Sequence, residues 1–278
     1  MKAFRERGQK PLAEFSNDSF IRLSDLADTL IGDSGGTVLE RREMAAGSNF
    51  SLQAGEKLDI VRVNQLAAKL GFKEPLSYPV CSQLKLAIDW KMEIDDAPIF
   101  RYLYRNINPR RHLEFGTWQG AGAVFCLQES SATVWTISLP GGERNPDGSS
   151  AYDGDEGMNI GRLYREQGFG NRVCQIFCNS QKWDISNYPT DFFDSVLIDG
   201  AHDPQTIAAD TTKALAVLRP GGVCLWHDFC PCPSVLLNQQ SSRGVVESII
   251  NNWMQISARM KELFWIQPSY ILLGISHD

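Results

Sequence analysis

The chain has no apolar run near the roughly 18 residues that a membrane-spanning helix requires,. Its first ten residues, MKAFRERGQK, are charged and are not followed by the apolar stretch of a secretory signal,. A soluble cytoplasmic protein with no membrane partner is therefore expected. Basic runs are also missing: Arg41-Arg42 and Arg110-Arg111 are isolated pairs, and the net charge is −6. Nucleic-acid binders carry a basic footprint, so no nucleic-acid partner is expected. The seven cysteines include no Cys-x2-Cys pair, and Cys230-Pro231-Cys232 is spaced too tightly for a zinc knuckle,. An odd number of cysteines, several of them inside apolar strand-like runs, reads as reduced thiols and not as a disulfide framework,. Finally, no Gly-x-Gly-x-x-Gly turn of the dinucleotide type is present,.

What is present divides into two parts. Residues 1–108 read as a mainly helical cap or arm. Asp18 to Ile31 and Lys57 to Leu70 are apolar at helical spacing, the 33–55 stretch is rich in Gly, Ser and Ala, and Pro79 to Asn106 reads as one or two helices broken near Pro98,. This part carries no chemical motif. It is expected to border the substrate entrance or to offer a surface for a homo-oligomer.

From residue 109 onward the pattern alternates strand and helix. His112 to Phe115 is a strand end, followed by the turn Gly116-Thr-Trp-Gln-Gly120 and a helix from Ala121. Strands follow at Thr133–Ile137, Val173–Cys178, Phe193–Ile198 and Val223–Trp226. A long helix lies at Pro204–Leu218, another helix at Gly244–Met260, and a closing hairpin at Leu263–Gln267 and Tyr270–Ile275. The fold class is α/β: a Rossmann-like, doubly wound, mostly parallel seven-stranded sheet with a C-terminal antiparallel hairpin and an N-terminal mainly helical extension. In such sheets ligands sit at the carboxyl ends of the strands. The polar residues of interest all fall there: Glu114 with Gly116, Ser138, Asn179 with Ser180, Asp199 with His202, and His227 with Asp228.

Three segments carry a family resemblance: Glu114-Phe-Gly-Thr-Trp-Gln-Gly120, Phe193-Asp-Ser-Val-Leu-Ile-Asp-Gly-Ala-His202, and Leu218-Arg-Pro-Gly-Gly-Val-Cys-Leu-Trp-His-Asp-Phe229. In this order the chain resembles the class I S-adenosylmethionine-dependent methyltransferases over residues 110–278. The Asp-Gly-x-His and Trp-His-Asp-Phe forms resemble bacterial small-molecule and sugar methyltransferases. The resemblance implies S-adenosylmethionine as cofactor, a small-molecule acceptor, and methyl transfer to a hydroxyl oxygen. It places the cofactor against Glu114, Phe115, Gly116, Thr117, Gly120, Ser138, Asn179, Ser180, Trp183 and Asp199. Ser138 stands where the family usually has a ribose-binding acid; Asp153 or Asp155, in the polar 143–157 loop, could substitute. A hydroxyl acceptor needs a base, and two solutions suit these residues. One is Mg2+ held by Asp199 and Asp228, although His227 replaces one member of the family's usual acidic pair. The other is a histidine base, His202 or His227. The catalytic set is then Asp199, His202, His227 and Asp228. Two other readings compete: a non-catalytic relative that binds through the same sheet, and an NAD-dependent oxidoreductase, which the glycine spacing disfavours.

Overall fold

A computed structural model describes residues 18–32, 56–76, 91–144 and 159–278. The expected 33–55 loop, the start of the 79–106 segment and most of the 143–157 loop, with Asp153 and Asp155, lie outside the described residues. The strands are β1 (Phe20–Arg22), β2 (Lys57–Arg62), β3 (Arg111–Phe115), β4 (Thr133–Ser138), β5 (Val173–Phe177), β6 (Phe193–Ile198), β7 (Leu218–Trp226), β8 (Met260–Gln267) and β9 (Ile271–Ser276). The helices are α1 (Leu23–Gly32), α2 (Leu66–Leu70), α3 (Lys91–Ile107), α4 (Ala121–Glu129), α5 (Arg162–Glu166), α6 (Pro204–Val217), α7 (Pro233–Asn238), α8 (Gln240–Asn251) and α9 (Trp253–Arg259).

All the strands join one sheet in the order β1-β2-β8-β9-β7-β6-β3-β4-β5. The expected seven strands are β3 to β9. Strands β7, β6, β3, β4 and β5 run parallel, and β9 is antiparallel to both β7 and β8. The N-terminal segment extends the sheet by two strands: β2 lies parallel to β8, with β1 antiparallel beyond it. Strand alternation feeds a separate core on each face. Val196 and Ile198 of β6 join the cluster that holds Ile207 of α6 and Val246 of α8; Leu197 between them joins the cluster of Phe100 (α3) and Val124 (α4). The chain order doubles back between β3 and β6, whose carboxyl ends lie side by side with Phe115 opposite Ile198. That is the switch point where doubly wound sheets open a crevice.

Three sequence expectations for the N-terminal segment are corrected. Lys57–Leu70 is not one helix. Its first six residues form β2, where Leu58 and Ile60 are buried and Lys57 and Asp59 exposed. Period-two burial and pairing with Phe264–Gln267 outweigh the local helical reading,. Helix α1 starts only after Phe20–Arg22 has paired with β2. Helix α3 runs unbroken through Pro98. Proline in a helix interior costs about 3 kcal/mol, but Ile99, Phe100, Leu103 and Tyr104 are all at most 2% exposed. Burying each such side chain yields about 1.5–3 kcal/mol, which offsets that cost. Later in the chain, the helix expected over Gly244–Met260 divides into α8 and α9.

Candidate active site

The turn after β3 is shaped by what its glycines avoid. Gly116 has φ +99°, and a Cβ there would lie 2.5 Å from Gly200 Cα and closer still to the Asp199 carbonyl oxygen. Only a glycine lets β3 and β6 close at the switch point, where Asp199 N–H donates to Phe115 O at 2.9 Å. Gly120, φ +92°, starts α4 and lies under the Tyr164 ring. The residues that follow dock on this turn: Gly161 N–H donates to Trp118 O and Leu163 N–H to Gln119 O.

Beneath the turn lies a buried polar network. Thr136 donates to the Glu114 carboxylate at 2.5 Å, Thr117 and Thr136 share a hydrogen bond at 2.7 Å, and Gln175 donates to Thr117 at 2.9 Å. Tyr164 closes the network by donating to Gln175. Glu114 is 1% exposed and Thr117 2%. Burial pushes the Glu114 carboxyl up to about 8, against the opposing Thr136 hydrogen bond and with a contribution from the Asp199 charge. Glu114 and Thr117 thus support the turn from below. Thr136, Gln175 and Tyr164 belong to no motif quoted above; only their adjacent strands and the docking of α5 reveal them.

Phe115 and Trp183 pack edge to face, ring centroids 5.7 Å apart, and Trp183 is 8% exposed. Ser138 ends β4 and is also buried. Asn179 caps the turn after β5, its side-chain oxygen accepting from Gln181 N–H at 2.9 Å. Ser180 hydrogen-bonds the buried carboxyl of Asp210 on α6. Gly116, Asn179, Ser180 and Asp199 are partly exposed.

The four expected catalytic residues are brought together at the ends of β6 and β7, as two pairs. His202 Nε2 is 2.6 Å from Asp228 Oδ2; the histidine side chain is 45% exposed and the aspartate 7%. Asp228 has φ +57°, a conformation that L residues other than Asn and Asp seldom adopt, and it turns the carboxylate toward His202. The backbone of His202 is itself fixed by α8: a Cβ on Gly244 would collide with the His202 carbonyl oxygen. The second pair is His227 Nδ1 with Asp199 Oδ1 at 2.9 Å. His227 is buried and its other nitrogen, Nε2, lies 3.2 Å from Asp96 Oδ2. Asp96 comes from α3 in the segment that showed no motif, 131 residues from His227 in sequence. No signal in the sequence could connect the two. Burial alone would push the His227 ring down, but Asp199, together with Asp96 and Asp228, raises it well above its ordinary value.

Asp199, His227 and Asp228 present ligand atoms within 4.8 Å of one another. As a three-residue ligand set their chemistry does not fit Mg2+. Both nitrogens of His227 face carboxylates and so act as donors, which leaves the ring no lone pair for a metal,. Asp228 Oδ2 is already engaged by His202. Mg2+ also prefers an all-oxygen, water-rich octahedron, whereas a cationic ring occupies this position.

Residues 113–229 match the family described as "Methyltransferase domain". A search of curated proteins found no match. Among solved structures, the chain is similar to cofactor-bound Rv0187 from MTB, at 16% identity and TM-score 0.50, covering 85% of this chain and 97% of that one. It is also similar to an O-methyltransferase family protein from Burkholderia thailandensis, at 14% identity and TM-score 0.50, covering 68% of this chain and 57% of that one. At such identities the likeness speaks to the fold. Among the described residues, no helix is long and apolar enough to cross a membrane. The glycine turn, the strand order and the matched segment agree: residues 113–229 carry the match to a methyltransferase domain, set on a Rossmann-like, mostly parallel sheet.

Proposed function

We propose that this protein transfers the methyl group of S-adenosylmethionine to a hydroxyl oxygen of a small-molecule acceptor of the natural-product or sugar class, without a metal. The observation that carries this reading is the half-exposed His202, held by buried Asp228 beside Asp199 at the switch point.

The residues at the crevice suit the cofactor. The Gly116 backbone, the Asp199 carboxylate and the Asn179 and Ser180 side chains surround the carboxyl ends of β3, β5 and β6 with partly exposed polar groups. They offer an anion for an ammonium, together with acceptors and donors for a ribose and an adenine. When bound, the cofactor supplies a sulfonium whose methyl is already activated toward a nucleophile. The chain's part is then to align the acceptor, which can supply much of the rate, and to remove its proton.

His202 is the base in this reading. Its Nε2 proton is donated to Asp228, which fixes the tautomer and makes Nδ1 the basic nitrogen that takes the hydroxyl proton,. Asp228 then stabilises the imidazolium that forms. His227 holds no lone pair for this task and serves instead to orient Asp199.

Calorimetry with S-adenosylhomocysteine tests the reading. Micromolar binding is expected; no binding at millimolar ligand refutes it.

A further inference from the structure

We propose that Asp96, supplied by the N-terminal segment, is a positioning residue of the site: it grips His227 and thereby fixes the Asp199 carboxylate at the end of β6. Asp96 is 3% exposed, and its Oδ2 accepts both the Tyr270 N–H at 3.1 Å and the His227 ring at 3.2 Å. The ring's opposite nitrogen reaches Asp199 at 2.9 Å. One turn of α3 further on, the Phe100 ring lies 5.5 Å from the His227 ring and restricts its tilt. The imidazole is therefore held at both nitrogens and on one side.

A purely structural role predicts something different. Tying α3 to the start of β9 needs only an acceptor for Tyr270 N–H, which a neutral side chain provides. Yet a carboxylate is kept here, almost fully buried, where an unpaired charge would be costly. What the charge matches is His227. Without Asp96 the ring would leave a donor unsatisfied in a dry site and could rotate away from Asp199. The same contact explains how residues without any catalytic motif of their own become part of the site: α3 packs along α4 and brings Asp96 under the end of β7.

The effect on methyl transfer rests on the function proposed above; the grip itself does not. The test uses the full chain labelled with 15N-histidine. It has only four histidines, so single substitutions assign each ring. Wild-type protein is expected to show two His227 ring N–H signals protected from solvent exchange. Asp96→Ala is expected to lose that protection and to weaken S-adenosylhomocysteine binding about tenfold by calorimetry, the size of effect that losing one net hydrogen bond gives. Asp96→Asn, which keeps an acceptor for both donors, is expected to restore most of the affinity. Its ring N–H exchange should still be at least tenfold faster than in wild type, because the charge-assisted bond is gone. If Asp96→Ala fails to fold, the exchange rate in Asp96→Asn decides, and an unchanged rate overturns the proposal. Wild-type ring signals in Asp96→Ala overturn it too, as does a lost signal with unchanged affinity. If wild-type protein binds no S-adenosylhomocysteine, the methyltransferase reading fails and the ring signals alone decide the grip.

Discussion

Replacing Gly116 with alanine should separate the two demands placed on the first turn. A Cβ at this position would lie 2.5 Å from Gly200 Cα, roughly 1 Å short of the separation of non-bonded carbons, about 3.5 Å. The obstacle is backbone on the adjacent strand end, so no side chain can swing away. Holding alanine at φ +99° costs about 1–3 kcal/mol,. Forcing β3 and β6 apart costs about another 1–3 kcal/mol. Against a total stability of about 5–15 kcal/mol for a domain, the variant should be visibly destabilised. Gly142→Ala is the control: its φ is +86° and nothing lies within 4 Å of a Cβ there, so it carries the conformational cost alone. Urea unfolding monitored by tryptophan fluorescence should show Gly116→Ala losing at least about 1 kcal/mol more than Gly142→Ala. Gly116→Ala should also bind S-adenosylhomocysteine more weakly, because Asp199 is the residue displaced. Equal losses in the two variants, within about 0.5 kcal/mol, would refute the reasoning.

Three further outcomes are expected. His202→Gln, whose amide nitrogen falls near the Nε2 position and can still donate to Asp228, should leave the melting temperature nearly unchanged, since the side chain is 45% exposed. It should lower kcat for hydroxyl acceptors by about 10²–10⁴-fold, and an unchanged kcat would remove His202 from the mechanism. Treatment with EDTA and addition of Mg2+ should both leave the methyl-transfer rate unaltered; loss of activity on chelation with recovery on Mg2+ would show that the His227 ring gives way to a metal. Glu114 is raised to about 8 from 4.5, so between these values the folded state holds a proton that the unfolded state has released,. Its contribution to stability is fully present below about 4.5 and is lost as pH rises toward 8, by about 1.4 kcal/mol per pH unit. Glu114→Gln removes this titration, so its stability relative to wild type should improve between pH 5.5 and 7.5; a constant difference between the two proteins would contradict the burial argument.

Much of the catalytic half was legible along the chain because its signals are local. The turn Gly116 to Gly120, the alternation of apolar strands with amphipathic α6, and polar residues at strand ends all lie within short windows. Burial on both faces leaves a short apolar run such as Val196–Ile198, which reads as a parallel strand without any knowledge of its neighbours,. The N-terminal segment was less legible for the same reason reversed. Lys57–Leu70 satisfies both a helical and a strand period over its first residues, and a partner two hundred residues away, β8, decided between them,. Pro98 was a sound local stop signal that packing overrode.

By itself, the sequence determined the α/β class, the order of the strands along the chain, the glycine turn, and the set Asp199, His202, His227 and Asp228 as residues at strand ends. Tertiary structure alone decided what those residues do to one another. It paired His202 with Asp228, enclosed His227 between Asp199 and a carboxylate from α3, and thereby turned a metal-binding pattern into an ion-paired imidazole. It also tied Glu114 into a buried hydrogen-bond network beneath the turn. The physical reason is that charge and hydrogen bonding act through space over a few ångströms. Periodicity reports which face a residue takes, and only the packed sheet reports which group stands opposite it.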